Sequence, residues 1–373
     1  MQTIYVHIPF CKQKCHYCSF YFSTTFESYR ENLINALVLE IKQRKSEQIE
    51  SISSIYFGGG SPSLLSESEF HQILEAIQNH YNLNTSIEQT LEINPDDVSD
   101  ERILLWKSLG FNRFSIGVQS FLEEDLQTMN RAHSSVMAHN AIQLMHKHNI
   151  VNFSIDLMFG LPNQTPQRWL DNLKIAVNYT IPHLSCYNLT VEEKTALANW
   201  VKNGKTVVAN DITSADLFDL TVDFLAQNNY TQYEISNYAL PGFHSQHNSA
   251  YWENAFYIGF GPSAHSYQKG VRRWNIANNM QYIKGVEQNT DYFELEFLSE
   301  TDIFNEYLLT QLRTLKGLNI QYLKTRFPDF YAQIENKLFK MQEDGFIAIH
   351  SSVILTHKGK LLADDLTADL MII

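Results

Sequence analysis

The sequence is short of positive charge. Its 373 residues include 28 Lys and Arg against 41 Asp and Glu, which gives a formal net charge of −13. Bulk, sequence-independent binding to nucleic acid needs basic surface that replaces the counterions of the phosphates. The charge balance therefore argues against that class of function, and we expect no nucleic-acid partner.

Long apolar runs are also missing from the sequence. A membrane-spanning helix needs about 20 predominantly apolar residues, and no run approaches that length. Residues 1–9 show no basic region followed by an apolar stretch, which is the pattern of a secretory signal peptide. We therefore expect a cytoplasmic protein without a transmembrane segment.

Cysteine is scarce, and its distribution is uneven. Of the four cysteines, Cys11, Cys15 and Cys18 fall close together, while Cys186 lies in an apolar segment. In a reducing compartment, such a cluster is typical of a metal site and not of a disulfide framework. Cys186 is predicted to be a small buried side chain that binds no metal.

Six short runs rich in β-forming residues alternate with amphipathic helical patterns in the first half of the chain. The runs are 4–8, 55–57, 90–93, 113–116, 153–158 and 184–189. A capping box at Ser66 and Glu69 and a cap at Thr165 mark two helix starts. Strand–helix units in series predict a parallel sheet covered by helices, and six units are too few for a closed eight-fold barrel. We predict an α/β fold with a partial open (β/α)6 barrel; an open doubly wound sheet is the alternative.

The remaining sequence divides by pattern. The pattern of residues 198–229 predicts helix. Residues 230–279 are rich in aromatic residues, His, Asn and Gly and show little periodicity. The predicted organisation is a barrel over 1–230, a barrel-closing segment over 231–297 and a smaller, mainly helical C-terminal domain over 298–373. Because that domain ends in a predicted hairpin and a last helix, a winged-helix-like form is one option.

The cysteines are separated by three and then two residues. A 4Fe–4S cubane normally takes four thiolates, so three in one loop would leave one iron open to a small molecule. Zinc is the alternative, since it requires four ligands and His16 or His7 could supply the last. The cysteine spacing alone leaves both metals open.

Polar and glycine motifs follow the ends of the predicted strands. They include the loop 58–63, Glu92, the pair Gly117 and Gln119, and Asp156. In β/α barrels the working residues sit at the carboxyl ends of the strands. The sequence therefore predicts one site that gathers these motifs around the cysteine loop.

The cysteine motif after a first strand resembles that of the radical S-adenosylmethionine (SAM) superfamily. The 5–18 run, the 58–63 loop and the later motifs are most similar, in order, to the oxygen-independent coproporphyrinogen III oxidase-like branch. The resemblance implies a 4Fe–4S cluster with three Cys ligands and SAM as cofactors. It implies SAM contacts at Tyr5, Gly59, Gly60, Ser61, Glu92, Gln119, Arg131 and Asp156. In that set Gln119 and Asp156 would bond ribose hydroxyls, and Arg131 would pair with a carboxylate.

Two activities occur within that branch. The oxidases carry a further Cys where this chain has Phe20, and they carry an extension before the first strand; the heme chaperones usually have Phe. The segment from His247 to Trp252 resembles the heme-associated signature of the chaperones, although Ser249 and Ala250 replace its Lys and Asn. Imidazole is an ordinary ligand of heme iron, so His247 is the candidate ligand. His244 and His265 are rivals for that role.

These resemblances imply a heme chaperone that carries heme as cargo to acceptor hemoproteins, respiratory ones among them. An electron donor for the cluster and transient association with a membrane are implied partners. Whether the protein is an enzyme stays open at this point. The alternatives are an oxygen-independent coproporphyrinogen III oxidase, which would act through a 5′-deoxyadenosyl radical, and a non-catalytic iron–sulfur or zinc-binding module.

Overall fold

The computed structural model describes residues 2–373 and contains six parallel strands at its centre. They are β1 (Gln2–Ile8), β2 (Ile52–Gly59), β3 (Leu83–Ile93), β4 (Arg113–Gln119), β5 (Phe153–Phe159) and β6 (His183–Asn188). Each strand pairs in parallel with the next one along the chain. Most of their residues are buried, as expected for strands covered on both faces. The six predicted strands are confirmed.

Helices connect these strands. They are α1 (Arg30–Gln43), α2 (Glu67–His80), α3 (Asp100–Ser108), α4 (Glu123–Met129), α5 (Ser135–Lys147) and α6 (Pro166–Asn178). Ser66 caps α2 in a capping box with Glu69, and the Thr165 side chain caps α6 ahead of Pro166. The predicted helix starts are thus confirmed, because side-chain oxygens satisfy the first free N–H groups of these helices.

The middle of the chain contains more strand than its pattern indicated. After α7 (Ala196–Lys202) and α8 (Asp211–Gln227) come β7 (Thr231–Gln232), β8 (Asn237–Ala239), α9 (Gln246–Trp252), β9 (Phe256–Phe260), β10 (His265–Gln268), β11 (Val271–Asn275), α10 (Asn279–Gln288) and β12 (Phe293–Phe297). Strand β9 pairs in parallel with β1, and β8 pairs antiparallel with β6. The segment therefore extends both edges of the central sheet. These strands are short, so hydrogen bonds to the central sheet, and not a local pattern, define them.

The complete sheet has 12 strands in the order β12-β11-β10-β9-β1-β2-β3-β4-β5-β6-β8-β7. The order is linear: within residues 2–373 the two edge strands, β12 and β7, do not pair with each other. This agrees with the predicted partial, open barrel.

The C-terminal region has its own hydrophobic core, which runs from Phe304 to Leu370. Its elements are α11 (Glu300–Gln311), β13 (Leu318–Asn319), α12 (Ile320–Arg326), α13 (Pro328–Glu343), β14 (Ile347–Ile349), β15 (Ser352–Leu355), α14 (His357–Lys360) and α15 (Ala363–Leu370). The hairpin of β14 and β15 is present as predicted, and β13 joins it in a three-stranded sheet. Within residues 2–373, no helix is both long and apolar enough to cross a membrane.

Candidate functional site at the cysteine loop

The cysteine loop leaves the carboxyl end of β1 and is held by backbone hydrogen bonds at both ends. The amide of Cys11 donates to the carbonyl of Ser23 (3.0 Å), and the amide of His16 donates to the carbonyl of Met129 (3.0 Å). The side-chain amide of Asn130, a residue in the left-handed region, donates to the carbonyl of Lys14 (2.8 Å). The end of α4 therefore fixes the shape of the loop.

One cavity of about 190 Å³ gathers the predicted site. All three clustered cysteines line it, and so do seven of the eight SAM candidates: Gly59, Gly60, Ser61, Glu92, Gln119, Arg131 and Asp156. The eighth, Tyr5, lines a neighbouring cavity of about 420 Å³ together with Gly59 and Glu92. Residues as far apart in sequence as Cys11 and Asp156 meet here because parallel strands end on the same side of the sheet.

The three thiols suit a cluster better than a convergent single-ion site. Among residues 2–373, no three His, Cys, Asp or Glu side chains converge closely enough to hold one metal ion. A cubane does not require such convergence, because each thiolate binds a different iron. Burial raises the pKa of Cys11 to about 12 despite the hydroxyl of Ser61, so a bound metal would have to stabilise the thiolate.

The two histidines considered as a fourth ligand already have partners. The ring nitrogens of His7 lie 3.1 Å from the Tyr5 hydroxyl and 3.0 Å from the carbonyl of Tyr21. Burial lowers the pKa of His7 to about 4. His16 places Nδ1 3.0 Å from the carbonyl of Thr128 and packs edge-on against Trp200.

The glycines of the 58–63 loop are required by packing around the site. Gly59 has φ +108°, and a Cβ there would lie 2.6 Å from the ring of His7. A Cβ on Gly60 would lie 2.6 Å from the carbonyl oxygen of Phe10. Glycine at these two positions lets β2 approach β1 and the cysteine loop. Packing within the protein therefore requires glycine here, in addition to any close approach of a ligand.

Arg131 connects the cavity to the cysteine loop. Its Nη2 donates to Asn94 Oδ1 and to the carbonyl of Gly117, both at 2.7 Å, and its Nη1 lies 3.4 Å from Sγ of Cys15. Its Nε is buried and has no acceptor among residues 2–373. A buried unpaired donor is costly, so this atom would favour an anionic oxygen such as the carboxylate of SAM.

Two half-buried carboxyl groups face the same space. Burial raises the pKa of Glu92 to about 7, Asp156 adds to the increase, and hydrogen bonds from the Tyr56 hydroxyl (2.7 Å) and the Gly59 amide (3.1 Å) oppose it. Burial also raises the pKa of Asp156 to about 6. Strongly shifted groups in a cavity are typical of binding sites, and ionised carboxylates here would attract a cationic ligand such as SAM.

Gln119 lies in the left-handed backbone region, with φ +66°. Its position coincides with an irregularity in the pairing of β4 with β5. Non-glycine residues in this region are strained and cluster at functional sites. The irregularity turns the end of β4, and Gln119 lines the cavity.

His247 lies on α9, away from the cysteine cavity, and is 1% exposed. Its Nδ1 is 2.8 Å from the Ser54 hydroxyl, its Nε2 is 3.1 Å from the Tyr251 hydroxyl, and its ring stacks on Tyr56 at 4.9 Å. To bind iron, the imidazole would have to exchange one of these partners. The two rivals are exposed, with His244 stacked on Tyr233 and His265 near Trp274.

Two residues outside the predicted set of SAM contacts contribute to this site, and one of them, Asn94, belongs to the polar motif that follows the third predicted strand. Asn94 accepts from Arg131 and donates to the Ser61 hydroxyl (2.7 Å), and Tyr56 orients Glu92. Asn94 was detectable from strand alternation, because it lies two residues after Glu92, whereas the pairing of Tyr56 with Tyr5 is visible only in the structure.

Comparison with known proteins supports the resemblance to radical SAM proteins. The model of the radical SAM superfamily matches residues 5–176. Heme chaperone HemW of Bacillus subtilis is 32% identical over 98% of this chain and 98% of its own length. Heme chaperone HemW of Lactococcus lactis is 33% identical over 87% of this chain and 85% of its own length. The structure of coproporphyrinogen III oxidase (HemN) from Escherichia coli matches with a TM-score of 0.86 at 22% identity, covering 99% of this chain and 90% of that one.

The likeness to the oxidase, at 22% sequence identity, shows that the two proteins share a fold. The likeness to the HemW protein of Bacillus subtilis extends over 98% of both chains, and the match to the radical SAM superfamily, over residues 5–176, includes the cysteine loop. The radical SAM family implies a 4Fe–4S cluster and SAM, and the cavity fits them, since it combines three thiols with an unpaired buried donor and two acidic groups. On sequence, fold and site together, the chain belongs to the HemW family of radical SAM proteins.

Proposed function

We propose that this protein is a heme chaperone, which binds heme and passes it to acceptor hemoproteins. The observation that carries the proposal is the 32% identity to a heme chaperone over 98% of both chains. Respiratory hemoproteins are the acceptors we propose, and the cytoplasm is the compartment. An electron donor for the cluster and transient contact with a membrane complete the proposed set of partners.

The cysteine cavity would hold the two cofactors. Cys11, Cys15 and Cys18 would bind three irons of a 4Fe–4S cluster, which would supply an electron to SAM at the open fourth iron. Glu92 and Asp156 would hold the cationic cofactor electrostatically, and Arg131 Nε would donate to its carboxylate. Gln119, Ser61 and the glycines would shape the adenosyl and methionyl parts of the site.

Phe20 supports the chaperone over the oxidase. It stands where the oxidases of this branch carry a further Cys, and its side chain is 74% exposed at the mouth of the cysteine cavity. Phenylalanine has neither the proton chemistry nor the metal chemistry of a thiol.

The test compares heme binding with oxidase chemistry on one preparation. Anaerobically reconstituted protein is titrated with hemin, and it is incubated separately with coproporphyrinogen III, SAM and a reductant. We expect a Soret band that saturates with hemin, heme transfer to the apo-form of a b-type cytochrome faster than passive loss to apomyoglobin, and no decarboxylation. Multiple-turnover formation of protoporphyrinogen IX would overturn the proposal in favour of the oxidase.

A further inference from the structure

A second, larger cavity lies between the segment that extends the sheet and the C-terminal region. It encloses about 590 Å³ and is bounded by α9, β9 and the end of β6 on one side and by α11 on the other. Cavities of 300–1,000 Å³ are the usual size for ligands of drug or cofactor size. None of the three clustered cysteines lines it, so it is distinct from the cysteine cavity.

Aromatic side chains form much of its wall: Tyr187, Tyr251, Trp252, Tyr257 and Tyr267. The rings of Tyr251 and Tyr257 meet edge to face at 4.8 Å, and that of Tyr267 lies 6.2 Å from Tyr257. Tyrosine and tryptophan present flat apolar faces with a polar edge, and such faces stack on planar ligands. The wall therefore favours a flat, largely apolar molecule with polar arms.

Two buried donors in this wall have no acceptor among residues 2–373. They are Nε1 of Trp252 and Nε of Arg313, and the Arg313 guanidinium lies 5.8 Å from the centroid of the Trp252 ring. The other side of the guanidinium pairs through Nη1 with Asp364 (2.6 Å), whose side chain is 81% exposed. Buried N–H groups nearly always have a hydrogen-bond partner, so two neighbouring unpaired donors point to an acceptor supplied by a ligand.

The charged side chains that line the cavity balance, with Arg272 and Arg313 against Glu234 and Glu306. Glu306 is paired with Arg272, and Glu234 accepts hydrogen bonds from the side chain of Asn237 and the amide of Ser236. Burial raises the pKa of Glu234, and the hydrogen bonds from Asn237 and Ser236 and the charge of Arg313 oppose that increase. Arg313 pairs with Asp364 and also acts on Glu234, but its Nε has no acceptor among residues 2–373, and charge-assisted bonds to a carboxylate are the strongest that such a donor can form.

We infer that this cavity holds the heme, and that Trp252 Nε1 and Arg313 Nε together bind one of its propionates. The inference rests on the proposed function, which it deepens by naming the site and the group that recognises the cargo. Trp252 closes the same signature that contains His247, and the Tyr251 hydroxyl joins His247 Nε2 to the wall of the cavity. The signature and the C-terminal helix α11 thus contribute to one binding site.

Two of the other cavities fit heme less well, and a further one of about 690 Å³ runs along the cysteine loop and is lined by Lys14 and Cys18. The cysteine cavity encloses about 190 Å³, too little for a porphyrin beside SAM. The cavity that contains Tyr5 and His265 encloses about 420 Å³, but its described lining holds no Arg or Lys and includes Glu92. A dianionic macrocycle would face a carboxyl group there without a cation to compensate it.

The experiment uses the full-length protein and two probes, hemin and hemin dimethyl ester, which lacks free carboxylates. Arg313→Gln and Trp252→Phe each remove one proposed donor. Arg326→Gln is the matched control, because Arg326 lies in the same C-terminal region, pairs with Glu300 and does not line the cavity. Soret titration measures affinity, and circular dichroism checks that each variant is folded.

We expect hemin affinity to fall about tenfold in Arg313→Gln, somewhat less in Trp252→Phe, and not at all in Arg326→Gln. The wild type should bind the ester about tenfold more weakly than hemin, and the two variants should bind the ester as the wild type does. Equal wild-type affinity for hemin and the ester would overturn the inference, even if Arg313→Gln failed to fold. In that case the proposed function would stand, since hemin still binds; a wild type that binds no hemin would instead overturn the proposed function.

Discussion

Nη1 of Arg131 lies 3.4 Å from Sγ of Cys15, which places a half-buried guanidinium directly against a proposed cluster ligand. The same group donates to Asn94 and to the carbonyl of Gly117, so its position is fixed from two further sides. Within residues 2–373, no carboxylate forms a salt bridge with it. Its positive charge is therefore available to the thiolates and to the cofactors.

This contact predicts an effect on the reduction potential of the cluster. Reduction adds negative charge beside Arg131, so a nearby cation stabilises the reduced state. Arg131→Gln should lower the midpoint potential by on the order of 100 mV, as expected for one unit charge at this range in a medium of intermediate dielectric constant. EPR-monitored redox titration measures it.

Arg131→Lys is the control, since it keeps the charge but loses the planar set of donors. The midpoint potential of this variant should stay close to that of the wild type, while its affinity for SAM should be lower. Equal potentials in the wild type and in Arg131→Gln would show that the guanidinium acts only through packing.

The cysteine assignment predicts that the three clustered thiols act as a unit. Replacement of Cys11, Cys15 or Cys18 by Ala should abolish cluster binding, because two thiolates cannot hold a cubane that is open at two irons. The wild type should bind about four irons per chain after anaerobic reconstitution. Iron and sulfide analysis measures both.

Cys186→Ala is the matched control, since Cys186 is buried and lies on β6 outside the cavity lining. It should bind iron as the wild type does. Loss of iron in this variant would show that the set of ligands is wrong, and zinc retained in place of iron would favour the structural-metal alternative.

Glu92 predicts a dependence of SAM affinity on pH. The pKa of its carboxyl group is about 7 in the free protein, raised by burial and by Asp156, and cationic SAM favours the ionised form. Between pH 8 and pH 6 the group takes up a proton that it must release when SAM binds. Affinity should therefore fall about tenfold over this range, and further below pH 6 as Asp156 also protonates.

In Glu92→Gln the affinity should be lower at pH 8 and nearly constant down to pH 6. Glu67→Gln, on the exposed start of α2, should keep the wild-type profile. Calorimetric titration of the reconstituted protein with SAM at several pH values measures this. A wild-type profile in Glu92→Gln would exclude Glu92 as the titrating group.

The central fold and the cysteine cavity were predictable because they depend on local patterns. Alternating strand and helix periods fix six parallel strands, and parallel strands bring Glu92, Gln119 and Asp156 to one edge without further information. The strands β8 to β12 were not predictable in this way. Strand β9 (Phe256–Phe260), for example, takes its conformation from hydrogen bonds to β1, which is about 250 positions distant, and β8 pairs with β6.

The site also shows what residue type alone cannot reveal. The glycines of the 58–63 loop predict a close approach, but only the structure shows that His7 and Phe10 cause it. Histidine is a common heme ligand, so the signature predicts ligation by His247, yet burial and two hydrogen bonds at its ring are properties of packing that no local pattern contains.

The ligand hypothesis for His247 leads to the last prediction. If its imidazole binds heme iron, His247→Ala should weaken and shift the Soret band, because the axial ligand sets the ligand field of the iron. Tyr251→Phe removes the hydroxyl that competes for Nε2, so it should retain the band or strengthen it. Hemin titration followed by absorbance measures both.

His244→Ala and His265→Ala are the controls, since both rings are exposed and belong to other parts of the surface. Neither should move the band if His247 is the ligand. Independently of heme, His247→Ala should lower the free energy of unfolding by about 1–3 kcal/mol, because the Ser54 hydroxyl loses its buried partner. An unchanged Soret band in His247→Ala, together with this loss of stability, would show that His247 only packs α9 against β2. The ligand would then be His244 or His265, whichever of the two shifts the band when it is replaced by Ala.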